Sequence, residues 1–183
     1  MPSWKKVIVS GSDAAIPSVS TAADFTIDAG GDIILDTDGT DIILKDGGTE
    51  FGSFKRASSD FIIKSATQDK DIVFKGNDGG ATITAMTIDM SEGGNVGIGT
   101  SSPTARKLEV KDTSSNVGIR LTTGTALDAI IDFGDTDDGD TGQIRYDNNT
   151  DKMHLRTNAS DRLTIDSSGN AVFNGGISLG TDL

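Results

Sequence analysis

Short apolar runs, each led by an acidic residue, recur along the first half of the chain: DFTID (24–28), DIILD (32–36), DIILK (41–45), DFIIK (60–64) and DIVFK (71–75). EFGSF (50–54) is a weaker relative that fills the gap. The starts are separated by 8, 9, 9, 10 and 11 residues, and AGG, TDGT, DGGT, ASS and SATQDK between them are turn compositions. Their β-branched and aromatic content makes the runs strands rather than helical turns. The pattern predicts strand plus turn repeated every 8–11 residues, with no room for a useful helix. Within a run the first and third apolar residues share a face, as Phe25 with Ile27, Ile33 with Leu35, Ile42 with Leu44 and Ile72 with Phe74. The second position is apolar too in Ile34, Ile43, Ile62 and Val73. Both faces are therefore expected to be at least partly covered.

One such repeat cannot hold itself together, because the few aliphatic side chains it buries return less than ordering its backbone costs. Stacking on neighbours, within the chain or between chains, must supply the difference. Unpaired strand edges also recruit other chains. A closed threefold assembly answers both needs; a monomeric solenoid or sandwich built from the same strands is the plainer alternative.

From about Gly93 the texture changes. GNVGIGTSSPTARKLEVKD (94–112) reads as a glycine-spaced short strand, a turn through Pro103 and a strand at 107–110. Candidate strands follow at 116–123, 127–134, 142–148, 152–158, 161–167 and 170–175. The connections DTDDGDT, NTD, AS and SG are hairpin lengths, so an antiparallel meander is expected. Its apolar positions would be Ile130 (with Asp132 opposed across the pleat), Ile144 with Tyr146, Met153 with Leu155, and Leu163 with Ile165. The Ser-, Gly- and Pro-rich stretch at 91–104 is the best boundary.

Composition narrows the picture. Hydrophobic residues make up 34% of the 183 and aromatics only 5%, while 23 glycines have no side chain to bury, so a large private core is not expected. The net charge of −12 argues against nucleic acid and anionic membranes as partners. There is no cysteine, so neither a disulfide framework nor a thiolate metal site is available. The opening MPSWKKVIVSGSDAA has neither a secretory nor a membrane-spanning apolar run, and no membrane insertion is expected.

Candidate chemistry is sparse. His154 is the one histidine, and its alternation with Met153 and Leu155 in a strand reads as a solvent-facing or interface residue rather than a base. Asp137 with Asp138 could form a glycosidase pair, but they sit in an acidic loop without aromatic subsites, and Trp4 and Tyr146 are far apart in sequence. Asp36, Asp38 and Asp41, and again Asp135, Asp137, Asp138 and Asp140, place oxygen ligands around a glycine turn as calcium loops do. Both sets lack the glutamate of an EF-hand, and Asp-Gly turns are common for conformational reasons alone. GNVGIG lacks the Lys-Ser/Thr and the helix of a phosphate loop. No catalytic, cofactor-binding or metal residue is assigned and no cofactor is expected. Lys45, Lys64 and Lys75 each end an apolar run and are expected to face carboxylates of adjacent repeats or chains.

FTIDAGGDIILDTDGTDIILKDGGTEFGSF and DFIIKSATQDKDIVFKGNDGGATITAMTIDMSEGG resemble repeats of structural and fibre proteins of marine, notably cyanobacterial, phages. NVGIGTSSPTARKLEV resembles the Gly-Ile-Gly-Thr-Ser-Ser-Pro element of phage tail fibres, and the stretch ending RLTIDSSGNAVF is similar to the β module that follows it. The resemblance implies a homotrimeric fibre on a virion, in contact with other tail proteins and with a host surface glycan or receptor. Many members of that family end in a self-cleaving chaperone; this sequence ends at GGISLGTDL, so the expectation covers shaft and module rather than a receptor-binding tip. The expected architecture is all-β and elongated: an attachment or lead-in segment (1–20), a β-repeat shaft (21–92), and a glycine-rich linker strand with β-meander (93–183), in an intertwined homotrimer. The expected function is non-enzymatic virion structure supporting host adhesion. The alternative is a calcium-dependent or carbohydrate-binding bacterial surface adhesin.

Overall fold

A computed structural model describes residues 21–175, and the attachment segment expected at 1–20 lies outside the described residues. Hairpins form where a short turn joins two apolar runs. β1 (Asp41–Asp46), β2 (Thr49–Ala57) and β3 (Asp60–Ser65) make a three-stranded antiparallel sheet. Gly47 and Gly48 turn the first hairpin at φ 53° and 85°, the left-handed pair that matches the twist of a two-residue hairpin loop. The expected weak relative EFGSF lies inside β2, one of the longest strands.

The second sheet contains β4 (Ile72–Asp78), β5 (Ala81–Asp89), β6 (Asn95–Ile98) and β7 (Leu108–Val110). β4, β5 and β6 run antiparallel, but β7 pairs parallel to β6 across the 99–107 connection. A parallel neighbour normally needs a longer crossover. Here the connection lies directly on the sheet: Pro103 is fully buried and its carbonyl accepts a 3.0 Å bond from Asn95 Nδ2. A Cβ at Gly97 would come within 2.8 Å of Thr100 Cγ2, so the glycine makes room for the crossing chain. The division expected at 92/93 falls inside this sheet, between β5 and β6.

The third sheet is the expected antiparallel meander: β8 (Asp128–Phe133), β9 (Gly142–Asp147), β10 (Lys152–Thr157), β11 (Ser160–Ile165) and β12 (Ala171–Phe173), each paired with the next. The described residues are thus all-β, in three open sheets, with no helix among them. None offers a helix long and apolar enough to cross a membrane.

Three expectations need correction. The runs at 24–28 and 32–36 form no strand, nor does 116–123. A strand exists only when a second strand accepts its hydrogen bonds, and among the described residues none forms a backbone hydrogen bond with these three segments. Apolar cover on both faces is not found either: the register gathers most apolar residues on one face of each sheet, with Ile43, Ile62, Val73 and Ile130 left on the more polar one.

Apart from Pro103, no aliphatic or aromatic side chain is buried among the described residues. Ile34 is 84% exposed and Phe61 73%. The extensive contacts between strands all lie within a sheet, so no sheet stacks on another to make a core. A sheet face this apolar is normally half of a two-layer structure.

Candidate functional site

The third sheet carries the sharpest division of chemistry, and its register shows how it arises. Ile131 pairs with Ile144, which pairs with Leu155, which pairs with Leu163, which pairs with Phe173. One row therefore crosses all five strands on one face. Parallel to it runs Ala129, Tyr146, Met153, Ile165 and Ala171. Directly opposed residues of neighbouring strands share a face, so local alternation in each strand becomes one continuous apolar surface. The expected positions Ile144, Tyr146, Met153, Leu155, Leu163 and Ile165 all lie on it. Ile130 does not: it pairs with Arg145 on the polar face, and Ile131 takes the apolar place.

The other sheets repeat this plan. In the first, Ile42, Leu44, Phe54, Phe61 and Ile63 share a face, and the Phe54 and Phe61 rings stack with centroids 6.2 Å apart. The opposite face carries Lys55 at 3.6 Å from Asp41. Lys64 meets Glu50 of the adjacent strand at 3.9 Å, so the carboxylate expected for Lys64 lies within its own sheet. In the second sheet Ile72, Phe74, Met86, Ile88, Val96, Ile98, Leu108 and Val110 form the apolar face. Its other side, with Thr87, Asp89 and Asn95 buried, lies toward the Pro103 crossover.

On the polar face of the third sheet the side chains are tied to one another. Arg145 Nη1 donates to Asp128 Oδ2 at 2.9 Å, and Nη2 lies 3.5 Å from Asp161 Oδ2. His154 Nδ1 lies 3.0 Å from the same Asp161 oxygen and 3.3 Å from Thr164 Oγ1. Gln143 Nε2 donates to Asp132 Oδ1 at 2.7 Å. His154 and Gln143 are each 8% exposed, so of the two readings of the histidine, solvent-facing or interface, the first does not hold. The neighbouring carboxylate assigns the imidazole proton to Nδ1. Thr164 stands at that nitrogen rather than at Nε2, which has no hydrogen-bond partner among the described residues. Arg145, Arg156, Gln143, Asp128 and Asp161 line an open depression of about 410 Å³ on this face. Sequence reading missed the network because it links four strands; only the period-two alternation of charge in β9 and β10 hinted at it.

The acidic loops have a structural use. Asp135 Oδ1 accepts from the backbone N–H of Asp137 at 2.9 Å and of Asp138 at 3.0 Å. Those two donors hold its carboxyl below the ordinary value. The same motif recurs elsewhere. The backbone and hydroxyl of Ser114 lower Asp112, the Thr150 hydroxyl chiefly lowers Asp147, and the Asn170 side chain and backbone lower Asp166. These aspartates cap turns. Among the described residues no three His, Asp or Glu side chains converge as a metal site would require. Asp137 and Asp138 are exposed turn residues. Tyr146 lies on the apolar face, and its hydroxyl reaches Asp151 at 3.3 Å. Partial removal from water, then the Asp151 charge, raise its pKa above that of an ordinary phenol. Trp4 lies outside the described residues. Gly97 and Gly99 of GNVGIG belong to β6 and the crossover, not to a strand-to-helix phosphate loop. No protein-family model matches the chain, and no curated protein matches it.

Proposed function

We propose that this chain is a non-enzymatic structural segment of a homotrimeric fibre, of the phage tail-fibre kind, that helps carry host adhesion. The carrying observation is the continuous apolar face on each of three sheets, together with the absence, Pro103 apart, of any buried aliphatic or aromatic side chain among the described residues. A surface of this extent and continuity is what an interface core supplies. Copies of the same chain are the natural cover, because each brings matching sheets in matching order and closed symmetric assemblies are the common solution. The polar faces, with their paired charges and capped turns, would then form the outer surface. The number three and the virion context come from the resemblance of the repeats and of the GIGTSSP element to phage fibre proteins.

Light scattering on the purified chain tests the reading. A mass of about 57 kDa, three copies of 19.0 kDa, is expected. A stable monomer at micromolar concentration would sink it.

A further inference from the structure

We propose that residues 117–122 of one copy pair along the open edge of β8 in a second copy, adding a sixth strand to its third sheet. This rests on the self-assembly reading above and names the element that would interlock the copies. Val117, Ile119 and Leu121 alternate with Gly118, Arg120 and Thr122, the period-two pattern of a half-buried strand. Yet residues 116–123 form no backbone hydrogen bond within the described residues, and Val117, Ile119 and Leu121 are 46%, 71% and 47% exposed. A segment patterned as a strand but without a neighbour has a row of backbone donors and acceptors to satisfy.

The β8 edge fits this segment in polarity and charge. Among the described residues β8 pairs with β9 alone, so its outer edge carries no neighbour there. It contains no proline or lysine to block addition of a strand. Its apolar face presents Ala129, Ile131 and Phe133, and its polar face Asp128, Ile130 and Asp132. A strand laid beside it with Val117, Ile119 and Leu121 on the apolar side brings Arg120 onto the side of Asp128 and Asp132. Arg120 has no carboxylate partner among the described residues. The occupant is a second copy rather than the same chain for a geometric reason. The turn before β8 is already formed, with Leu127 N–H donating to Gly124 O at 3.0 Å, and the segment still does not return along β8.

Amide hydrogen exchange on the unmodified full chain, with mass measured in the same buffer, tests this. Alternate amides within 117–122, those directed at β8, should exchange at least about tenfold more slowly than the amides between them, which point away from it. A photo-crosslinking residue at position 119 should join two chains into a covalent pair on a denaturing gel. Unprotected amides in an assembly of trimer mass would overturn the strand addition and leave the self-assembly reading intact. Crosslinks confined to single chains would overturn it as well, by placing the segment on its own sheet. A monomer mass would overturn both.

Discussion

Ile130 and Ile131 are adjacent, of one residue type and on one strand, 41% and 44% exposed, and point to opposite faces of the third sheet. Replacing each in turn with serine changes strand propensity and volume equally, so a difference between the variants reports the face alone. In a separate chain either change removes a side chain already half in water and should cost little. In the assembly Ile131 would bury its open fraction, about 80 Å², worth about 2 kcal/mol per chain at ~25 cal/mol per Å². Three copies make about 6 kcal/mol, or roughly four powers of ten in the trimer association constant. Ile130, on the polar face beside Arg145, would bury little more on assembly. Sedimentation equilibrium over a hundredfold range of concentration reads the effect directly. Ile131→Ser should dissociate at concentrations where Ile130→Ser and the unaltered chain remain assembled. Equal weakening by the two variants, or none by Ile131→Ser, would refute assignment of the apolar face to the interface.

Other outcomes follow from the turns and loops. Gly97→Ala should lower the thermal midpoint by several degrees, since its Cβ would strike Thr100 and Pro103, and Gly99→Ala should do the same at φ 72° against the Lys111 carbonyl; Gly76→Ala, with open space and an ordinary φ, is the control expected to show no loss in a melting curve. Asp112, Asp135, Asp147 and Asp166 have folded values below the unfolded value of about 3.9. The stability they contribute is therefore present above that value and lost as pH falls through it toward the folded values, and melting followed by circular dichroism from pH 6 to pH 2 should show the decline begin near pH 4. Asp166→Ala should flatten part of that decline, and an unchanged profile would count against the capping role. Chelation should leave the melting temperature and mass unchanged, because among the described residues no three acidic or histidine side chains converge on one point; a drop on adding EDTA that calcium reverses would favour the adhesin alternative.

Much of this was legible locally. Gly47-Gly48 and Gly79-Gly80 announce tight turns because only a residue without a Cβ takes two successive left-handed angles freely. The alternation in 144–155 and 163–165 reads out one face without knowledge of the partner strand, because successive side chains must point to opposite sides. The same local logic failed at 32–36 and 116–123, which have strand composition and no neighbour. It found the two short strands on either side of Pro103 but not their parallel pairing, which Gly97 permits by admitting the chain above it.

The sequence by itself determined that the chain would be β-rich, where it would turn, and which runs would be apolar, since those follow from φ/ψ preferences and from a side-chain period of two. Only the tertiary structure decided which runs find partners and in what register. Register set Ile131 in the apolar row and Ile130 among charges, brought His154, Asp161, Arg145 and Asp128 from four strands into one network, and left three apolar faces open. Hydrogen-bond pairing is a relation between distant segments, and no property of one segment alone specifies it.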